Sequence, residues 1–264
     1  MKHSLWTCSA AAALVVVAGQ LLGISPDILL QLKRLGGPQL GDDSEYTPPE
    51  VPQYNVSMPL DHFNASDRRT FINRFWVNDT YYKPGGPVIL ADFGEGTVTD
   101  DMVATILAEL GGHVATAPME LARELGGVAM VLEHRYYGYS QPFRLTSTTS
   151  YSTNELPQAL EDVVYFASRH VSRADLGLNT VLAAPNATWQ LHPSRTPWIW
   201  ASGSYGGSRG VWLRIRNPEV IYAVWASSAP VECRPDGSAY FNSIYRSMAS
   251  NCSADVQAVV RHVD

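Results

Sequence analysis

The chain has 264 residues, 45% of them hydrophobic, which is material for one sizeable core or for one core with an excursion. Its 19 basic and 25 acidic side chains leave a formal charge of -6 with no basic run anywhere, a balance that excludes nucleic acid as the expected partner.

At the N-terminus Lys2 and His3 precede an apolar stretch from Ala10 to Ala18, the order of a secretory signal peptide, with cleavage expected near Ala18 or Gly19. The stretch is shorter than the roughly 20 apolar residues of a spanning helix, and Gln20 interrupts it. Residues 1–19 therefore read as a leader, leaving no membrane segment after cleavage. Five N-x-[ST] sequons follow, at Asn55, Asn64, Asn78, Asn186 and Asn251, and a secreted eukaryotic chain is expected to carry glycans on such sites in exposed loops. Cys8 lies in the leader. Cys233 and Cys252 remain for an oxidising compartment, where they pair with each other or with partners outside this sequence.

Residues 20–53 read as a linker or propeptide-like lead-in, rich in Gly, Pro and acids from Gly36 to Gln53, and order is expected from Tyr54. Thr70 to Val77 alternates well enough for an edge strand. Pro87 to Asp92 reads as a buried strand ending in the tight loop Phe93-Gly94-Glu95-Gly96. Met102 to Leu110 and Pro118 to Leu125 read as helices, the second stopped by Gly126 and Gly127. Val128 to Leu132 is a further buried strand, running into Glu133-His-Arg-Tyr-Tyr-Gly138. Leu156, Ala159, Leu160, Val163, Val164 and Ala167 then recur at helical spacing, with Asn154 as N-cap and Pro157 in the first turn, where its missing N–H costs nothing.

The apolar run Pro197 to Ala201 stops at Ser204 in the string Ser202-Gly-Ser-Tyr-Gly-Gly207, and a helix is expected from Tyr205 to Arg216, with Tyr205, Ser208, Val211, Trp212 and Ile215 on one face. A strand that turns this sharply into a helix is a nucleophile elbow, in which the serine hydroxyl projects above the sheet and neighbours must be small. Gly203, Gly206 and Gly207 supply that smallness. Ser202 stands where the pattern G-x-S-x-G has its first glycine, and serine is nearly as small. The Tyr205 N–H, at the helix start, would point to where negative charge develops on an attacked carbonyl. Val220 to Ser227 is one more apolar strand, and Tyr240 to Met248 and Cys252 to Val263 read as helices. Strands alternating with helices imply an α/β fold, a mostly parallel sheet with helices on both faces.

Several of these strings together resemble the serine peptidases typified by prolyl carboxypeptidase and dipeptidyl peptidase II, in particular their secreted fungal relatives. They are Pro59-Leu-Asp-His-Phe63, Tyr81-Tyr-Lys-Pro-Gly-Gly-Pro-Val88, Leu132-Glu-His-Arg-Tyr-Tyr-Gly-Tyr-Ser140, Gln158-Ala-Leu-Glu-Asp162 and Gly203-Ser-Tyr-Gly-Gly207, in the family's order over Tyr54 to Asp264. The resemblance implies an α/β-hydrolase core over 54–230 and the start of a helical insertion over 231–264. It implies cleavage of proline-adjacent peptide bonds near a chain terminus; the residues themselves show no phosphate loop and no metal-ligand spacing, so no cofactor or metal is expected. Ser204 is then the nucleophile. Tyr205 contributes one wall of the oxyanion hole, and Gly94 and Glu95 the other, although Phe93 departs from the family's usual glycine there. The expected destination is outside the cell, or the vacuole or lysosome through the secretory pathway.

A hydrolytic serine needs a base and a carboxylate to orient it, and α/β hydrolases carry them in the order Ser, acid, His. His262 is the sole histidine among the 60 residues after Ser204. The triad acid and base are therefore expected to be absent from this sequence, which reads as an incomplete form. Two other functions fit the same residues: a secreted hydrolase-like binding protein without activity, and an esterase or lipase. His134 reads as structural, and His62, His113, His170 and His192 as ordinary surface or loop residues. Arg135 reads as a partner of Glu133 or as a substrate-facing side chain. Trp198, Trp200, Trp212 and Trp225 read as core.

Overall fold

The computed structural model describes residues 51–107, 109–110, 113–114, 116–143, 156–171, 191–232 and 235–263. The expected leader, the lead-in up to residue 50, Asn154, Asn186 and Cys233 lie outside them. The elements run β1 (Gln53–Pro59), β2 (Thr70–Asn78), β3 (Val88–Ala91), α1 (Asp100–Leu107), a short hairpin β4 (Glu109–Leu110) and β5 (His113–Val114), α2 (Ala117–Leu125), β6 (Val128–Leu132), α3 (Leu156–Tyr165), β7 (Trp198–Gly203), α4 (Ser204–Arg216), β8 (Ala223–Ser227), α5 (Ser238–Ser247) and α6 (Ser250–Val263). A π-helical turn, Phe166–His170, continues α3. The described residues fall into two compact units, one ending at Pro230 and one formed by Val231–Asp264, which holds α5 and α6.

Six strands form one sheet in the order β1-β2-β6-β3-β7-β8. The first two pairings are antiparallel and the remaining three are parallel. Period-two alternation sorts the strands' side chains between two cores. Phe75, Val77, Leu90, Met130, Trp198 and Trp200 face α3 and Leu213 of α4 on one side. Trp76, Ile89, Ala91, Val131 and Ala201 face Val103 and Leu107 of α1 and Met119 and Ala122 of α2 on the other. This is the α/β-hydrolase fold, with the central parallel strands β3 and β6 buried on both faces.

Four expectations are corrected. Thr70 to Asn78 is an inner strand, because Gln53–Pro59 pairs along its outer side. The helix that starts at Asp100 ends at Leu107, short of Leu110, and residues 109 and 110 pair with the hairpin instead. Helix α4 buries Gly206, Gly207, Ser208, Arg209, Gly210 and Leu213, whereas Ile215 is 75% exposed. The glycine face lets the α4 backbone lie against β7 and β8, so absent side chains, and not an apolar stripe, mark the packed surface. Trp198 and Trp200 are core, but Trp225 on the outer strand β8 is 50% exposed.

Candidate active site

The elbow forms as a strained turn between β7 and α4. Gly203 is extended, and Ser204 takes φ 52°, a left-handed conformation that a β-carbon disfavours. Its side chain is exposed. Crowding beneath explains the small neighbours. A β-carbon on Gly206 would lie 2.5 Å from the Ser202 hydroxyl and 2.7 Å from the Asp92 carbonyl, and one on Gly207 would lie 3.0 Å from Ala229 Cβ. Ser202 fits where glycine is usual because its hydroxyl turns inward and donates to the Asp92 carbonyl.

A cavity of about 230 Å³ opens beside the elbow, lined by Ser204 and Gly203, by Phe93, Glu95 and Gly96 of the loop after β3, and by apolar side chains that include Met102, Ile106 and Trp225. That loop touches the elbow directly. Gly94 sits at φ 62°, and a β-carbon there would be 3.1 Å from the Gly206 nitrogen. The N–H groups of the loop have different fates. The Gly94 N–H donates to Asp92 Oδ1 at 3.0 Å. That bond lies within the loop, while among the described residues no acceptor takes the Glu95 N–H. Tyr205 lies in the first turn of α4, where N–H groups lack intrahelical acceptors. Among the described residues the Tyr205 and Glu95 N–H groups therefore have no acceptor.

No imidazole or carboxylate hydrogen-bonds the Ser204 hydroxyl among the described residues. His134 is committed elsewhere. Its Nδ1 lies 2.7 Å from the Arg135 carbonyl, which can only accept, so Nδ1 carries the proton. Nε2 then accepts from the Tyr205 hydroxyl at 3.1 Å. Burial, reinforced by the nearby Arg209 charge, pushes the His134 imidazole down to about 4, so it is neutral near pH 7. Burial likewise raises the Tyr205 hydroxyl.

Beyond the elbow, the Glu133-to-Ser140 string is fastened by buried ion pairs that differ from the expected ones. Glu133 pairs with Arg74, at 2.6 Å and 2.9 Å, and accepts from the Ser140 hydroxyl at 2.6 Å. Arg135 instead grips Asp162 through two bonds of 2.6 Å. His62, expected on the surface, is buried against Asp162 Oδ1 at 2.8 Å. Burial alone would raise the Asp162 carboxyl, but the bonds from Arg135 and His62 outweigh it and hold the group below the usual value. The partners are 27 and 100 residues from Asp162 in sequence, so spacing carries no sign of them. Their one sequence signal is that each lies in a family-like string.

Of the sequons, Asn55 lies on β1, Asn78 at the end of β2 and Asn251 in α6, in regular structure and not in loops, while Asn64 is in a loop. Asn55, Asn64 and Asn251 are exposed, whereas the Asn78 side-chain nitrogen is donated to the Leu107 carbonyl. Cys252 is an exposed free thiol. Among the described residues no group of three His, Cys, Asp or Glu side chains is arranged for a metal ion, and no helix is long and apolar enough to cross a membrane.

The profile of the family described as Serine carboxypeptidase S28 matches residues 58–264. The Serine protease vicPa of Bipolaris victoriae is 34% identical over 206 residues, covering 78% of this chain and 35% of that protein. The mouse Thymus-specific serine protease is 37% identical, covering 76% and 35%. The mouse Lysosomal Pro-X carboxypeptidase is 30% identical, covering 83% and 41%. The chain thus spans little more than a third of the length of these curated relatives.

Proposed function

The chain belongs to the serine carboxypeptidase S28 family, a family of serine-type peptidases, and on that premise we propose that it is the nucleophile-bearing part of a secreted exopeptidase that cuts proline-adjacent bonds. The observation that carries this reading is Ser204, exposed and held at positive φ in the turn between β7 and α4, beside a cavity. In the proposed reaction the Ser204 oxygen attacks the scissile carbonyl as a base takes its proton. The Tyr205 and Glu95 amides stabilise the oxyanion, the amine leaves with the proton, and water releases the acyl group. The greater length of the relatives supports placing the acid and the base in a longer form of this protein. The apolar lining, with Met102, Ile106 and Trp225, suits an apolar side chain or a proline ring, in keeping with the name of the Pro-X relative. The leader-like N-terminus and the exposed Asn55, Asn64 and Asn251 support passage through the secretory pathway, to the cell exterior or to a lysosome-like compartment, with glycans at those sites.

The test joins two measurements. Transcript sequence beyond codon 264 should continue in frame and supply an Asp and then a His. The full-length product should be phosphonylated at Ser204 by a fluorophosphonate, and should lose labelling and hydrolysis of an Ala-Pro or Pro-Phe reporter in Ser204→Ala. A second reading, a binding protein without activity, draws on the lack of any imidazole bonded to Ser204 among the described residues. It is favoured if the full-length protein folds but is neither labelled nor active.

A further inference from the structure

Asp92, at the end of β3, is a shared fixture of the two pieces that carry the oxyanion donors. Its Oδ1 accepts the Gly94 N–H at 3.0 Å, which sets the course of the loop to Glu95. Its Oδ2 accepts from Arg209 Nη1 at 3.1 Å, and its main-chain carbonyl accepts the Ser202 hydroxyl. Arg209 lies on α4, five residues after Ser204, and its Nη2 reaches the Ala159 carbonyl of α3 at 3.1 Å. Both side chains are shut off from water, 3% and 1% exposed. The pair is not built for stability. It has a single bond, and Arg209 Nε is buried without a partner, whereas the Arg135–Asp162 pair is bidentate. A buried ion pair of this kind returns little net stability but defines a position sharply.

We propose that Asp92, through its ion pair with Arg209, is a positioning residue that locks the Glu95 N–H to the nucleophile elbow, and so sets the spacing of the two oxyanion donors. The inference rests on the serine-peptidase reading above. The Gly94 N–H is held out of the cavity by the same carboxylate, so Asp92 also selects which loop amide faces the reacting carbonyl. Without the pair, the bond from the Ser202 hydroxyl to the Asp92 carbonyl and the close approach of Gly94 to the first turn of α4 still hold the loop against the elbow, but no side-chain bond then fixes the course from Asp92 to Glu95 relative to α4.

The test uses the full-length protein and the variants Asp92→Asn, Arg209→Met and the two combined, with a proline-containing peptide substrate, a peptide aldehyde and the product peptide. The aldehyde forms a tetrahedral adduct whose oxygen occupies the oxyanion site, and the product does not. Each single variant should lower kcat roughly 10- to 100-fold with KM within about two-fold, since the interaction matters only once the oxyanion forms. Aldehyde affinity should fall in step with kcat while product affinity holds. The double variant should be no worse than the poorer single one, because the pair acts as a unit. Should a single variant fail to fold, the double variant, which buries no lone charge, carries the same comparison. Folded variants with kcat within about two-fold of the parent would overturn the proposal, as would equal losses of aldehyde and product affinity. An unmodified protein that is neither labelled at Ser204 nor active sinks the serine-peptidase reading instead, and that result is separate from any variant's behaviour.

Discussion

The two most distinctive strings of the chain, Glu133 to Gly138 and Ser202 to Gly207, lie close together and work by opposite means. The first places charged side chains in the interior, where Glu133, Arg135 and His134 are each buried and hydrogen-bonded. The second works through missing side chains, so that α4 can approach β7 and the loop after β3. Charge fixes distant loops to one another, because a desolvated ion tolerates only a correctly placed partner. Glycine sets the distance between two backbones. The longer and more specific string is therefore scaffold, and the shorter and commoner one forms the candidate site.

The largest effect that should separate the two regions is in stability. Asp162→Ala leaves Arg135 buried without its carboxylate and should cost about 3–5 kcal/mol in urea unfolding, while Asp162→Leu combined with Arg135→Met should recover most of it. A cost below about 1 kcal/mol would remove the charged string from its place as scaffold. The next effect is on pH. His134 titrates near 4 when folded against about 6.5 when unfolded, so the unfolded chain binds the extra proton between those values. The contribution of neutral His134 should be whole above pH 6.5 and decline as pH falls toward 4, by on the order of 3 kcal/mol. His134→Gln should flatten that part of the stability–pH curve. Asp162, held below its usual pKa, adds a loss of the same sign only at pH below about 3.8.

A smaller change should reach the glycine region. Gly206→Ala drives a β-carbon toward the Ser202 hydroxyl and the Asp92 carbonyl, and overpacking of this kind costs about 1–3 kcal/mol. Here the more telling readout is the rate of Ser204 phosphonylation, which should fall further than the stability does. If labelling is unchanged, close backbone contact is not what shapes the elbow. The smallest effect calibrates the others. Arg123 pairs with Glu120 on the open face of α2, both about half exposed, and Arg123→Ala should change stability by no more than about 0.5 kcal/mol.

Much of this fold was legible along the chain. Val128–Leu132 occupies its expected bounds because five consecutive apolar residues between glycines and a charged string leave little choice. Leu125 ends α2 where Gly126 supplies the left-handed cap. The elbow was legible because glycines bracket a serine at a strand's end, although the turn begins the helix at Ser204 itself. The strand Gln53–Pro59 was missed, since only its pairing with β2 marks it as a strand. The face of α4 was misassigned because a helix that packs through glycine carries no hydrophobic period to read. The tight loop after β3 was legible from its glycines, but that its Gly94 N–H is taken by the carboxylate two residues upstream was not.

Local patterns settled what was local: the alternation of strands and helices, the small residues around Ser204, and the strings that mark the family. Tertiary structure alone decided which charges meet. His62, Arg135 and Asp162 come from three separate segments, as do Asp92 and Arg209. An ion pair needs only proximity and exclusion of water, and neither is a property of sequence spacing. For the same reason the composition could show how many charges the chain carries, while burial and backbone course determined that Arg135 would turn to Asp162 and leave Glu133 to Arg74.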